Sequence, residues 1–273
     1  DDRIQKVLAD RHDVHEAAVR WERKETPSIV MVIDDWSTIY EDFTLWYQYL
    51  AVIHQRIFGL SRCGVPFRVH LFEDLALEQF PECHKLFLFP NLFCLDEARL
   101  KVLREKVLRN GNVAIFGPAT GITDGKKLGS DMAEAATGIP LKFWRKESPR
   151  YVSVNRFDHP LTARFSSCVE YGDSHPYGPL LMPQPHPDVV ELGHIQWPVA
   201  TDGAGLVMRE FGKGASGNGT AGGRGAGDYA SVFTCAMPLP AQLLREFARY
   251  SGTHVYGEDD DLIFANSRTV TLH

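Results

Sequence analysis

Four side chains stand where an α/β protein places its chemistry. Asp34 and Asp35 follow the apolar run Ser28 to Ile33, Asn91 follows Leu86 to Phe89, and Thr120 lies just past Val113 to Phe116. If each run is a buried parallel strand, these residues gather at the carboxyl edge of one sheet, where ligands bind in open α/β folds. Two carboxylates, an amide and a hydroxyl in such a crevice suit a small polar ligand or a hydrolysis. Either aspartate equally fits the cap of the helix that follows.

Other chemistry-bearing types are less well arranged. The five cysteines, Cys63, Cys83, Cys94, Cys168 and Cys235, are odd in number and include no CxxC pair. That argues against a disulfide framework and a zinc site. They read as structural thiols, and they lean weakly toward a reducing, cytoplasmic compartment. His175, His186 and His194, with Asp173 and Asp188, match no metal-binding spacing. His70, inside an apolar run, reads as a hydrogen-bonded core residue. Gly212-Lys213-Gly214 lacks the Ser/Thr and the helix of a phosphate loop, so 212–228 reads as a flexible surface loop. No metal and no cofactor is expected.

The elements that must position the four residues follow from the hydrophobic pattern. Parallel strands are expected at about 28–34, 67–72, 85–90 and 112–117, in the order 2-1-3-4. Later strands should extend the sheet, at least one of them antiparallel. They are expected near 151–154, 165–170, 194–200, 206–211 and 229–235, then at 254–256, 262–265 and 269–271. Asp96 is the expected N-cap of a helix that Asn110-Gly111 stops. Further helices are expected at 131–137 and 240–250. The stretch 42–60 reads as one helix, apolar round most of its circumference except at His54 and Gln55. Its Trp46, Tyr47, Tyr49 and Phe58 cannot all face one core, because successive residues turn by about 100°. Excess aromatic surface there predicts an interface.

Residues 171–188 are too rich in Pro and Gly for a helix or a central strand. The expected organisation is a linker helix over 1–26, then one α/β domain over 27–273 with a Pro/Gly-rich insertion at about 171–228. With 273 residues and a 44% hydrophobic content, the chain can bury a sizeable core. A net charge of −6 gives no basic footprint for nucleic acid. No apolar run is long enough to span a bilayer, and no signal peptide is visible. The start at Asp1-Asp2 and the end at His273 read as cuts from a longer protein.

The stretch KLFLFPNLFCLDEARLKVLREKVLRNGNVAIFGPATG resembles the middle of a class I glutamine amidotransferase-like domain. It is most similar to the non-catalytic version that forms the trimerisation domain of family-42 beta-galactosidases. Asp158-His159-Pro160-Leu161-Thr162 resembles a turn seen in several relatives, and LPAQLLREFARYSGTHVYGEDDDLIFANSRTVTLH resembles the close of that domain. Together these cover most of 28–121 and 229–273. The resemblance implies a flavodoxin-like three-layer sandwich with a mostly parallel sheet. An active amidotransferase would carry a cysteine on the turn after the central strand. The aligned turn, Phe116-Gly117-Pro118-Ala119-Thr120-Gly121, has none, and Pro118 removes an N–H that an oxyanion hole would use. The expectation is a non-catalytic domain of a larger, carbohydrate-active protein, serving assembly with copies of itself or with a neighbouring catalytic domain. The alternative is a ligand-binding or hydrolytic domain that uses the crevice at Asp34, Asp35, Asn91 and Thr120.

Overall fold

The computed structural model describes residues 2–20, 24–42, 44–196, 203–212 and 226–273. Phe43, residues 1 and 21–23 of the expected linker segment, the second half of the strand expected at 194–200 and most of the Gly-rich stretch lie outside these residues. In chain order, helix α1 (Asp2–Val19) is followed by strand β1 (Ile29–Ile33) and a 3₁₀ turn (Asp35–Tyr40). A single turn of helix, α2 (Trp46–Gln48), runs straight into a π-helix (Tyr49–Gly59), and then come β2 (Phe67–Leu71), β3 (Leu86–Phe89), α3 (Glu97–Lys106) and β4 (Asn112–Phe116). Helix α4 (Asp131–Thr137) precedes β5 (Leu141–Trp144), β6 (Ser148–Val154), β7 (Val169–Tyr177), β8 (Leu180–Pro183), β9 (Val189–Gln196) and β10 (Ala204–Phe211). Strand β11 (Tyr229–Thr234), helix α5 (Ala241–Ser251) and the hairpin β12 (Ile263–Ala265) with β13 (Val270–Leu272) complete the chain.

Nine strands form one mixed sheet, in the order β2-β1-β3-β4-β11-β10-β9-β6-β7. The first five are mutually parallel and the rest antiparallel. The order 2-1-3-4 expected for the first four is the order found, and the strand at 229–234 joins them in parallel. The parallel half follows from composition. Ile29, Val30, Met31, Leu86, Phe87, Leu88, Val113, Ala114 and Ile115 are all buried, so these strands have no wet face and need cover on both sides. The rings of Phe89 and Phe116 stack across neighbouring strands at 5.2 Å. Helix α5 supplies cover through Leu243, Leu244, Phe247 and Ala248.

Several expectations change in detail. The helix expected over 42–60 starts only at Trp46, because Leu45 takes a left-handed conformation and Asp42 folds the preceding residues into a turn around Thr44. It then winds as a π-helix, a form rare at this length and associated with functional segments. Gln55 explains part of this. Its buried amide donates to Leu239 O at 3.0 Å and accepts from Leu239 N, so the wide turn is clamped to the chain entering α5. A β-carbon at Gly59 would collide with that amide.

The strand expected at 165–170 begins at Val169, after the turn in which Thr162 N and Ala163 N donate to His159 O. Residues 254–256 pair with no strand. Their contact is Tyr256 N donating to Gly64 O at 2.9 Å, next to a glycine whose φ of +72° brings it against Gly257. Strands β7 and β8 arise inside the Pro/Gly-rich stretch. One is the edge of the large sheet, and the other pairs only with β5. Both are places where proline is tolerated.

Candidate functional site

The carboxyl ends of β1 and β3 bring Asp34 and Asn91 together, as the spacing predicted. Asn91 Oδ1 accepts from Asp34 N at 3.0 Å, and its Nδ2 donates to Asp34 O at 2.8 Å and to Gln48 Oε1 at 2.9 Å. Asn91 therefore spends both amide protons and one oxygen lone pair on tying the turn after β1 to α2. Asp34 is 1% exposed, and a charge that deep needs a partner. Arg99 on α3 supplies it through a two-point pair: Nη2 donates to Oδ1 at 2.8 Å and Nη1 to Oδ2 at 3.1 Å. Ser37 Oγ adds a third donor at 2.6 Å. Such paired planar groups give the strong form of the interaction.

Arg99 is itself held from several sides. Its Nη1 also donates to Cys94 O at 2.7 Å, its guanidinium lies over the Phe72 ring at 4.1 Å, and it comes within 3.6 Å of Glu73. Carboxylate oxygens of Asp34, Asp35 and Glu73 lie within 4.8 Å of one another, a spacing that would admit a cation. The guanidinium already supplies that positive charge. The histidines and aspartates of 173–194 form no comparable group among the described residues; the His175 ring lies tilted against Trp46 at 4.2 Å and His186 accepts from Asp188 N.

Asp35 stays exposed on the 3₁₀ turn. Between that turn and α2 with the start of the π-helix runs a groove of about 670 Å³, lined by Asp34, Asp35, Thr38, Leu45, Trp46, Gln48, Tyr49, Val52, Ile53 and Asn91 among others. Three of the four residues singled out in the sequence thus meet at one groove. Thr120 does not line it; it is buried on the turn after β4, and its hydroxyl has no partner. Arg99, Ser37, Trp46 and Gln48 were not foreseen as site residues. Arg99 reads as an ordinary surface residue of α3, and its partner lies 65 residues away.

The thiols differ in setting: Cys83 Sγ lies 4.0 Å from His84 Nδ1, where burial raises the thiol pKa and pulls the imidazole down to about 4, and the exposed Cys168 Sγ meets Ser153 Oγ at 2.7 Å. Burial pushes Cys63 up to about 11 and Cys235 up to about 12, which keeps both protonated. Cys94, beyond β3, accepts from Tyr40 Oη at 3.5 Å and has no hydrogen bond to a histidine among the described residues. The turn after β4 is closed by Gly117 N donating to Phe89 O and Thr120 N donating to Gly117 O, and it carries no cysteine.

No family model matches the sequence, and no curated protein matches it. Solved structures do. The chain is similar to a catalytic mutant of a GH42 beta-galactosidase from G. stearothermophilus, with a TM-score of 0.53 and 14% identity over 89% of this chain and 33% of that one. It is more loosely similar to a putative ThuA-like protein from Bacteroides uniformis, with a TM-score of 0.44 and 10% identity over 85% of this chain and 94% of that one. A beta-galactosidase from Bifidobacterium adolescentis follows, with a TM-score of 0.31 and 12% identity over 82% and 98% of the two chains. The chain spans about a third of the length of the first of these. What it shares with that beta-galactosidase is the fold, an α/β architecture built on a large mixed sheet.

Proposed function

We propose that this chain is a non-catalytic, class I glutamine amidotransferase-like domain of flavodoxin-like type, which serves assembly within a larger carbohydrate-active protein of the beta-galactosidase kind. The observation that carries the assembly role is the outward face of the π-helix. Tyr49, Ile53, Ile57 and Phe58 are each exposed by 38% or more, Tyr49 and Phe58 by 45% and 48%. Trp36, Ile39, Tyr40 and Leu45 are exposed as well. A run of large apolar and aromatic side chains facing outward marks a docking surface, because aromatics concentrate in interface cores. Its occupant is a second copy of this chain or a neighbouring catalytic domain of the same protein. The carbohydrate-active parent is supported by the shared fold with a GH42 beta-galactosidase, and the free thiols suit a reducing compartment.

The absence of amidotransferase chemistry has its own test. Ammonia release from glutamine by the 273-residue chain should stay at the level of a buffer blank. The reasons are the missing elbow cysteine, the N–H that Pro118 removes from that turn, and two buried thiols held protonated. Turnover abolished by alkylation would show that one of the remaining cysteines is a nucleophile after all.

A further inference from the structure

We infer that helix α1 of a second copy docks along the groove beside β1 and the exposed start of the π-helix. This names an occupant for the docking surface proposed above, and rests on that reading. Helix α1 runs from Asp2 to Val19, and every residue from Asp2 to Glu16 is exposed. Its large apolar side chains are not scattered. Ile4, Val7, Leu8, Val14 and Val19 fall within one sector of about 140°. Each is between 57% and 61% exposed. A helix of this length is marginal in water without a packed face, because most helical stability in a protein comes from burying such a stripe. Its own domain leaves the stripe open.

The groove is the open surface that matches it. Its wall of Leu45, Trp46, Tyr49, Val52 and Ile53 is apolar, and Leu45, Tyr49 and Ile53 are exposed by 43%, 45% and 38%. An amphipathic helix laid into an apolar groove is a recurring mode of recognition. Charge selects the helix. At the Asp35 end, carboxylates of Asp34, Asp35 and Glu73 lie within 4.8 Å of one another around the single guanidinium of Arg99, so that end stays acidic. No Lys, Arg or His is among the groove's described lining residues. The stripe on α1 carries the opposite sign. Arg11 and His15, one turn apart, lie inside it, while Asp13 and Glu16 turn to the far side and Asp10 stands at its margin. The docked helix sets Arg11 beside Asp35. Just before β1 the chain is tied down, Arg68 Nε donating to Glu25 at 2.8 Å and Thr26 Oγ1 to Ala265 O at 3.3 Å, whereas the groove lies beyond the other end of that strand. Exchange of helices between two copies gives each a helix to offer and a groove to fill, which closes a two-fold pair.

The test is light scattering of variants of the 273-residue chain, with circular dichroism to show that each is folded. Ile4→Gln/Leu8→Gln keeps good helix formers in α1 and should weaken self-association about tenfold or more. Arg11→Glu and Asp35→Arg should each do the same, since like charges then face each other. An equimolar mixture of those two should associate again, toward twice 30.7 kDa. In it the reversed helix of one copy meets the reversed groove of the other, and the unaltered helix meets the unaltered groove. A mixture that stays monomeric, α1 variants that associate as the wild type does, or a monomeric wild type would each overturn the inference. If Tyr49→Ser/Phe58→Ser abolishes association and the α1 variants do not, the docking face stands and α1 alone falls as its occupant. If the α1 variants abolish association and Tyr49→Ser/Phe58→Ser does not, the docking face falls and this inference with it.

Discussion

Replacing Arg99 by methionine should lower the unfolding free energy by about 3–5 kcal/mol, the usual cost of stripping the partner from a buried charge. Asp34 would keep its carboxylate at 1% exposure with only the Ser37 hydroxyl and its own backbone setting to meet it. The methionine would still fill the space over the Phe72 ring that the guanidinium now covers at 4.1 Å, so the loss measures charge more than packing. The double variant Asp34→Leu/Arg99→Met should recover much of the loss, because an apolar pair of similar volume carries no desolvation penalty. Denaturant melts of the four proteins in that cycle check it. Additive losses would mean that the two side chains act separately and that the bonds at 2.8 and 3.1 Å contribute little.

Arg150→Met should do the opposite and stabilise the fold. Arg150 is fully buried on β6, and its Nε and Nη1 have no hydrogen-bond partner among the described residues. Its Nη2 reaches only Met182 Sδ at 3.9 Å, and its guanidinium lies over the Trp144 ring at 4.8 Å. Burial pulls its pKa down from the ordinary arginine value. A cation held without a carboxylate pays desolvation with little return beyond the ring contact. An unbranched apolar side chain of similar length should gain about 1–4 kcal/mol. In a chain of this size that is a rise in Tm of roughly 2–4 °C for each kcal/mol. A drop in Tm would show that the guanidinium is worth more in place than its contacts indicate.

These two arginines mark the limit of what the sequence shows. The runs at Ile29, Leu86 and Val113 are legible because a strand buried on both faces needs nothing but apolar residues, and their order follows from the alternation with helices. Asp34 and Asn91 are legible because they sit directly after such runs. Arg99 is not, since nothing local distinguishes a helix residue that crosses 65 positions to pair from one that faces water. Arg150 lies just ahead of the strand expected at 151–154, and nothing in the pattern says that the strand starts at Ser148 with a charged member pointing inward. The π-winding of 49–59 is equally hidden. The clamp from its Gln55 to Leu239 is a contact across 184 positions. The strand β8 escaped notice because Pro179 and Pro183 frame its Leu180-Leu181-Met182, and prolines at strand ends read as loop.

The assembly role is tested most directly by light scattering of the wild-type chain beside a Tyr49→Ser/Phe58→Ser variant, over a hundredfold range of concentration. The account predicts that the wild-type mass rises above 30.7 kDa with concentration. It also predicts that the variant, altered only at two outward-facing rings, stays near that value with an unchanged melting curve. A wild-type chain that remains at 30.7 kDa throughout would contradict self-association and leave a neighbouring domain as the occupant, and a variant that associates as the wild type does would contradict this face as the docking surface.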